Sequence, residues 1–210
     1  MAEHSYENIT IELPDFGAPV RRPPRMFFGA DRGDQNLAAH LLSAIGKDLL
    51  HPPASVASAH ALQARLEVTG DRGTTVTVNQ PHAWERPRLP VPRGWATALL
   101  GDEWWSLCAA AALSAEVTVE RWCGGQGARQ RLAGLRPLAD IEEFRPSDCG
   151  SGLRVSATLD PAHVGTDFLF PMDLAELNLH DPDCSVSPGT GHVLIRDHRS
   201  GLAAGDVLHR

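Results

Sequence analysis

The stretch Gly101–Trp122, GDEWWSLCAAAALSAEVTVERW, constrains this chain more than any other. Leu107, Cys108, Ala109–Ala112 and Leu113 are too continuously apolar for a helix with a solvent face. Alanine has the highest helix propensity, so the run predicts a buried helix whose small side chains let it lie close on a sheet. Ser114 and Ala115 are expected to close it. The period then changes from 3.6 to 2. Val117, Val119 and Arg121 fall on one side and Glu116, Thr118 and Glu120 on the other, as along a strand.

Residues 5–13, YENITIELP, read as a short strand, and Asp15–Pro24 as a loop rich in glycine and proline. Arg21, Arg22 and Arg25 make a basic knot around Pro23–Pro24, a solvated turn ahead of the apolar Met26–Phe28; three arginines are too few for a nucleic-acid footprint. Asn36–Leu50 is predicted helical. Leu37, Leu41, Ala44, Ile45 and Leu49 form its inward face, Asp34 is its N-cap and Pro52–Pro53 stop it. His40 is expected to be a hydrogen-bonded core histidine. Ala64–Val68 and Thr74–Asn79 read as a hairpin around Thr69–Gly73. Pro81, Pro87, Pro90 and Pro92 exclude regular structure from residues 81–94. Beyond the opening stretch, Arg129–Leu132 and Leu153–Leu159 read as strands. Gly134–Pro146 is mostly loop, Asp160–Val164 is a turn or short helix, and His192–Asp197 with Gly205–Leu208 closes the chain as a hairpin. The order predicts an α+β fold: a two-layer sandwich of a mostly antiparallel mixed sheet with helices on one face.

At 210 residues, 42% of them apolar, the chain suits a single domain over 1–210 with a sizeable core. Its formal charge of -7 repels nucleic acid and anionic membrane alike. No apolar run approaches the ~20 residues of a membrane span, and MAEHSYENIT lacks the pattern of a signal peptide. Cys108, Cys123, Cys149 and Cys184 are irregularly spaced, as expected of reduced thiols in a cytoplasmic protein.

Val20–Gly29, VRRPPRMFFG, resembles the R-x-R-P-x-M-Y-I-G stretch of the DNA gyrase B subunit and related type II topoisomerases. Their ATPase domain belongs to the GHKL superfamily, with Hsp90, histidine kinases and MutL. Leu37–Leu50 stands where that family has its first long helix, and Thr75–Asn79 where a strand precedes its D-x-G-x-G motif. Gly101–Ser114 aligns without gaps to G-L-H-G-V-G-x-S-V-V-N-A-L-S. Glu116–Arg131 resembles the next two strands. Ala175–Leu179 and LIRDHRSG at Leu194–Gly201 resemble the closing R-E-L-x-F-L and I-x-L-x-D-x-R-x-G. The resemblance implies a GHKL (Bergerat-like) fold along nearly the whole chain, without the transducer domain that follows it in the family.

The same alignment implies that the ATPase chemistry is gone. The family helix carries E-x-x-x-N, a glutamate that activates water and an asparagine that holds magnesium; here Ser43 and Lys47 stand there, and neither has the required chemistry. The adenine-reading D-x-G-x-G becomes QPHAW at Gln80–Trp84. The phosphate-cradling G-x-H-G-x-G becomes GDEWWS at Gly101–Ser106, with carboxylates and tryptophans where glycines should allow close backbone approach. The Gly-Thr near adenine becomes Gly152–Leu153, and the lid shrinks to Arg86–Leu100. No nucleotide or other cofactor is therefore expected, and the spacing of His and Cys along the chain gives no expectation of a metal.

Ser43, Lys47, Gln80, His82, Trp84, Trp104 and Leu153 are the candidate lining of the emptied pocket. If one of Trp104 and Trp105 packs inward, the other must face outward. The first reading is a non-catalytic, regulatory protein that binds a protein partner. A small-molecule binder or biosynthetic enzyme that reuses the pocket, with Lys47, His82, Trp84 and Trp104 in it, is an alternative. So is a nucleotide binder without hydrolysis. HDPDC at His180–Cys184 groups potential metal ligands, but their linear spacing favours a loop with Asx turns. Cys108 lacks a nucleophile elbow and reads as a small core residue.

Overall fold

The alternation read from the sequence builds one sheet. The computed structural model describes residues 17–80, 99–101, 103–147, 150–171, 173–180, 184, 189–199 and 206–210. The chain begins there with α1 (Gly17–Arg21), α2 (Arg25–Phe28) and α3 (Leu37–Leu50), then the hairpin of β1 (Gln63–Val68) and β2 (Gly73–Val78). Helix α4 (Trp105–Ala112) leads into β3 (Ser114–Cys123), β4 (Gln126–Ala133) and the short β5 (Arg136–Pro137) and β6 (Glu142–Phe144). Next come β7 (Ser151–Leu159), α5 (Pro161–Val164), β8 (His192–Asp197) and β9 (Asp206–His209). The spatial order is β5-β4-β3-β7-β2-β1-β8-β9, with β6 beside β4. Only β1 and β8 pair in parallel among these strands; the sheet is mixed and mostly antiparallel, as expected.

One face of the sheet carries Leu66, Val76, Val119, Val155 and Ile195, all buried. Helices α3 and α4 pack on each other, α3 against β1 and β8, and α4 against β3 and β7. The alanines of α4 are all buried, as the absence of any polar stripe requires. Val117, Val119 and Arg121 share the helix-covered side of β3, the phase read from the sequence. On the opposite face charges alternate across neighbouring strands. Arg154 of β7 bonds Glu120 of β3 at 3.1 Å, and Arg129 of β4 bonds Glu142 of β6 at 3.0 Å. Opposite charges placed side by side satisfy a sheet surface left open to water.

After α5 a long segment returns to β8 with no helix or strand among its described residues. Arg199 fastens it. Its guanidinium donates to the carbonyls of Phe170 (2.8 Å) and Pro171 (2.7 Å) and forms a bidentate pair with Asp197, both side chains being almost wholly buried. The Asp-x-Arg of the closing motif is thus a structural clamp.

The structure corrects several local expectations. Asp15–Pro24 is not all loop: Gly17–Arg21 is helical, with Pro19 in the first turn, where proline is tolerated. Asp34 does not cap α3. Its carboxylate takes the Asn36 amide at 2.8 Å, an Asx turn, and Asn36 holds the cap position. Ala44 is only half-buried, and His40, though bonded through Nδ1 to the Phe28 carbonyl at 2.7 Å, is exposed and not in the core. Helix α4 ends at Ala112, so Ser114 and Ala115 already belong to β3; the Ser114 hydroxyl donates back to Ala110 at 2.8 Å. The segment Gly134–Pro146 holds β5 and β6. The expected strand at 5–13 and the shortened lid, apart from Leu99 and Leu100, lie outside the described residues.

Candidate functional site

Three of the candidate residues, Gln80, Trp104 and Leu153, lie where β2 leaves the sheet and α4 begins. Leu153 is fully buried on β7, in register with Val78 on one side and Arg121 on the other. Gln80, just beyond β2, is also buried. Its side-chain amide reaches Glu103 Oε1 at 3.4 Å, and its Oε1 accepts from Trp104 Nε1 at 3.5 Å, the long limit of a hydrogen bond. Trp104 has no exposed surface, whereas Trp105 is 47% exposed and lies against Phe27, so the pair splits inward and outward as expected. Ser43 and Lys47 are half-buried on α3. His82 and Trp84 lie outside the described residues.

Arg121 explains how Glu103 is tolerated there. Its guanidinium bonds the Glu103 carboxylate and also donates to the Leu100 carbonyl at 2.6 Å. Burial pushes the Glu103 pKa up, but the charge and hydrogen bonds of Arg121 more than offset this and hold it below the usual carboxylate range. The two charges cancel, so this pair offers no net positive charge to an anion.

The start of α4 is the second feature. Trp104 sits at its N-cap position and makes no side-chain cap bond. The cap comes from another helix: Asp48 Oδ2 on α3 accepts the Ser106 amide at 2.8 Å. Burial raises the Asp48 pKa, with the Ser106 hydrogen bonds pulling the other way. A helix N-terminus with free amides is an anion site; here the protein supplies the anion itself, from a neighbouring residue of the candidate Lys47. Asp48 escaped the sequence reading because a cap is sought within a few residues of its helix, and this one is donated across the core.

Cys108 is buried within α4, with its thiol directed to the Gly101 carbonyl at 3.0 Å, in accord with a core role. A cleft of about 630 Å³ between the start of α3 and the segment after α5 is lined by Arg32, Asp34, Val164, Asp167 and Phe168, among others, and by none of the candidate residues. Away from α4, the fold gathers His180 and Cys184 with His51 and His60. Among the described residues no helix is long and apolar enough to cross a membrane.

No family model matches this chain, and no curated protein matches it. Among solved structures it is similar to the B-subunit of the DNA gyrase from Myxococcus xanthus, with a TM-score of 0.59 and 18% identity. The match covers 93% of this chain and 56% of that one. At this identity the likeness establishes the fold: an α+β sandwich with an open nine-stranded mixed sheet, as in gyrase B.

Proposed function

We propose that this chain keeps the gyrase-B-type frame without its nucleotide chemistry, and serves as a non-catalytic, regulatory module that binds a protein partner in the cytoplasm. One observation carries the reading: the amide at the start of α4, where the resemblance places the phosphate cradle, is held by Asp48, and the fully buried Trp104 stands beside it. Glycines would let a triphosphate approach the backbone; on this reading the indole of Trp104 takes up that space and the carboxylate of Asp48 takes the helix-terminal amide a phosphate would need. Leu153 presents hydrocarbon where the family has the hydroxyl of its Gly-Thr. Residues 1–210 are read as a single domain. The net charge of -7 argues for a protein partner over nucleic acid.

The test is phosphate release. With ATP and magnesium, the purified chain is expected to release no phosphate above the buffer blank across pH 6–9. Sustained turnover above that blank, lost on Asp48→Asn, would contradict the proposal and make Asp48 a catalytic base.

A further inference from the structure

We propose that His51, His60, His180 and Cys184 form a zinc site that ties the segment between α5 and β8 to the end of α3. The inference is independent of the fate of the nucleotide pocket.

The four side chains each offer one ligand atom, and these atoms all lie within 4.8 Å of one another. Cys184 Sγ is 3.7 Å from His51 Nε2 and 3.7 Å from His60 Nε2. Tetrahedral zinc with ordinary Zn–S and Zn–N bonds separates sulfur from nitrogen by about 3.6 Å. The three imidazoles crowd together: His51 meets His60 edge-on with centroids 4.6 Å apart, and His180 lies 5.6 Å from His51 and 5.9 Å from His60. Three histidines and one cysteine are a borderline-soft donor set that suits zinc and offers little to calcium or magnesium. Four protein ligands close the coordination sphere, which marks a structural site.

The backbone holds His60 in place for this. His60 is the non-glycine residue with positive φ (53°) among the described residues, a conformation costly for a side chain with a Cβ. Its amide donates to the Leu50 carbonyl at 3.1 Å, which fixes it to the end of α3 beside His51. Its carbonyl accepts the Gly191 amide, and a Cβ on Gly191 would lie only 2.4 Å from that carbonyl, so the chain passes too close for any other residue. His60 is 2% exposed, yet its Nδ1 has no hydrogen-bond partner among the described residues. A buried imidazole on a strained backbone, aimed through Nε2 at a thiol with two more imidazoles around it, is poorly explained by packing alone. A metal explains the constellation, and it gives a long segment without helix or strand a second anchor besides Arg199. The expectation of no metal rested on spacing along the chain; the fold brings together residues from both sides of β1 through α5.

Elemental analysis of the full chain, purified without a histidine tag from zinc-supplemented medium, is expected to find about one zinc per molecule. Cys184→Ala and His60→Ala should each lose it, and His163→Ala, on α5, should keep it. Stripping the metal should lower the melting temperature by on the order of 10 °C, with zinc restoring it. Because the variants can fail to fold, cobalt is titrated into the stripped wild-type chain. Tetrahedral ligand-field bands and a thiolate-to-cobalt band should saturate at one equivalent. A wild-type chain that carries no zinc, takes up cobalt without a thiolate band and melts at the same temperature with or without zinc would overturn the assignment.

Discussion

Trp104→Ala should destabilise the protein by about 4 kcal/mol, the scale seen when a fully buried large aromatic is truncated. Trp104 has no exposed surface, belongs to the buried core and bonds Gln80 at the N-cap of α4, between a sheet and a helix, so the space cannot readily collapse. In urea the midpoint should fall with the slope unchanged. The loss should be partly reversible: indole, which has the shape of the missing group, should raise the melting temperature of the variant and leave the parent unmoved. A cost below about 1 kcal/mol would mean that the indole does not pack where the structure places it. The residue proposed to close the pocket would then also be a main support of the core, a physical reason why the site could not simply reopen.

Arg199→Ala is expected to cost about 3 kcal/mol, because it leaves the Asp197 carboxylate buried and uncompensated and frees two carbonyls at once. Asp197→Asn should cost less, since the amide oxygen can still accept from the guanidinium. Acid should reveal the same pair. Hydrogen bonds from Arg199 lower the Asp197 pKa beneath its ordinary 3.8, with burial opposing them. A depressed carboxylate pKa gives stability that is fully present above the unfolded value and lost as pH falls through the folded one. The parent should therefore lose stability below about pH 4 more steeply than Arg199→Ala, which has already lost that term. Equal acid slopes in urea titrations at pH 5 and pH 3 would show that the pair is not the source.

Local periodicity was a sound guide where a residue's neighbours in sequence are also its neighbours in space. The phase of Val117, Val119 and Arg121 held, as did the inward face of α3 at Leu37, Leu41, Ile45 and Leu49 and the β1–β2 hairpin. It failed where a partner comes from elsewhere in the chain. Asp34 satisfies Asn36 and Asp48 caps α4, although the sequence favoured Asp34 as a cap and offered no hint of Asp48. The parallel pairing of β1 with β8 is likewise set by the sheet and not by either strand. At the candidate site, the inward–outward split of Trp104 and Trp105 was readable from helix geometry, but the role of Arg121 as the counter-ion of Glu103 was not. The histidine cluster was half visible. His180 and Cys184 lie a helical turn's length apart in HDPDC, while His51 and His60 reach them only because α3 ends and β1 starts beside that segment.

The central claim is that the protein's own groups occupy the place of the nucleotide. Calorimetric titration of the full chain with a non-hydrolysable ATP analogue and magnesium tests it most directly. No heat of binding is expected at millimolar ligand, for the parent and for Asp48→Asn alike, because on the proposed reading the buried Trp104 takes the nucleotide's place in both. Saturable one-site binding at micromolar concentration, weakened by changes at Ser43 or Lys47, would contradict it.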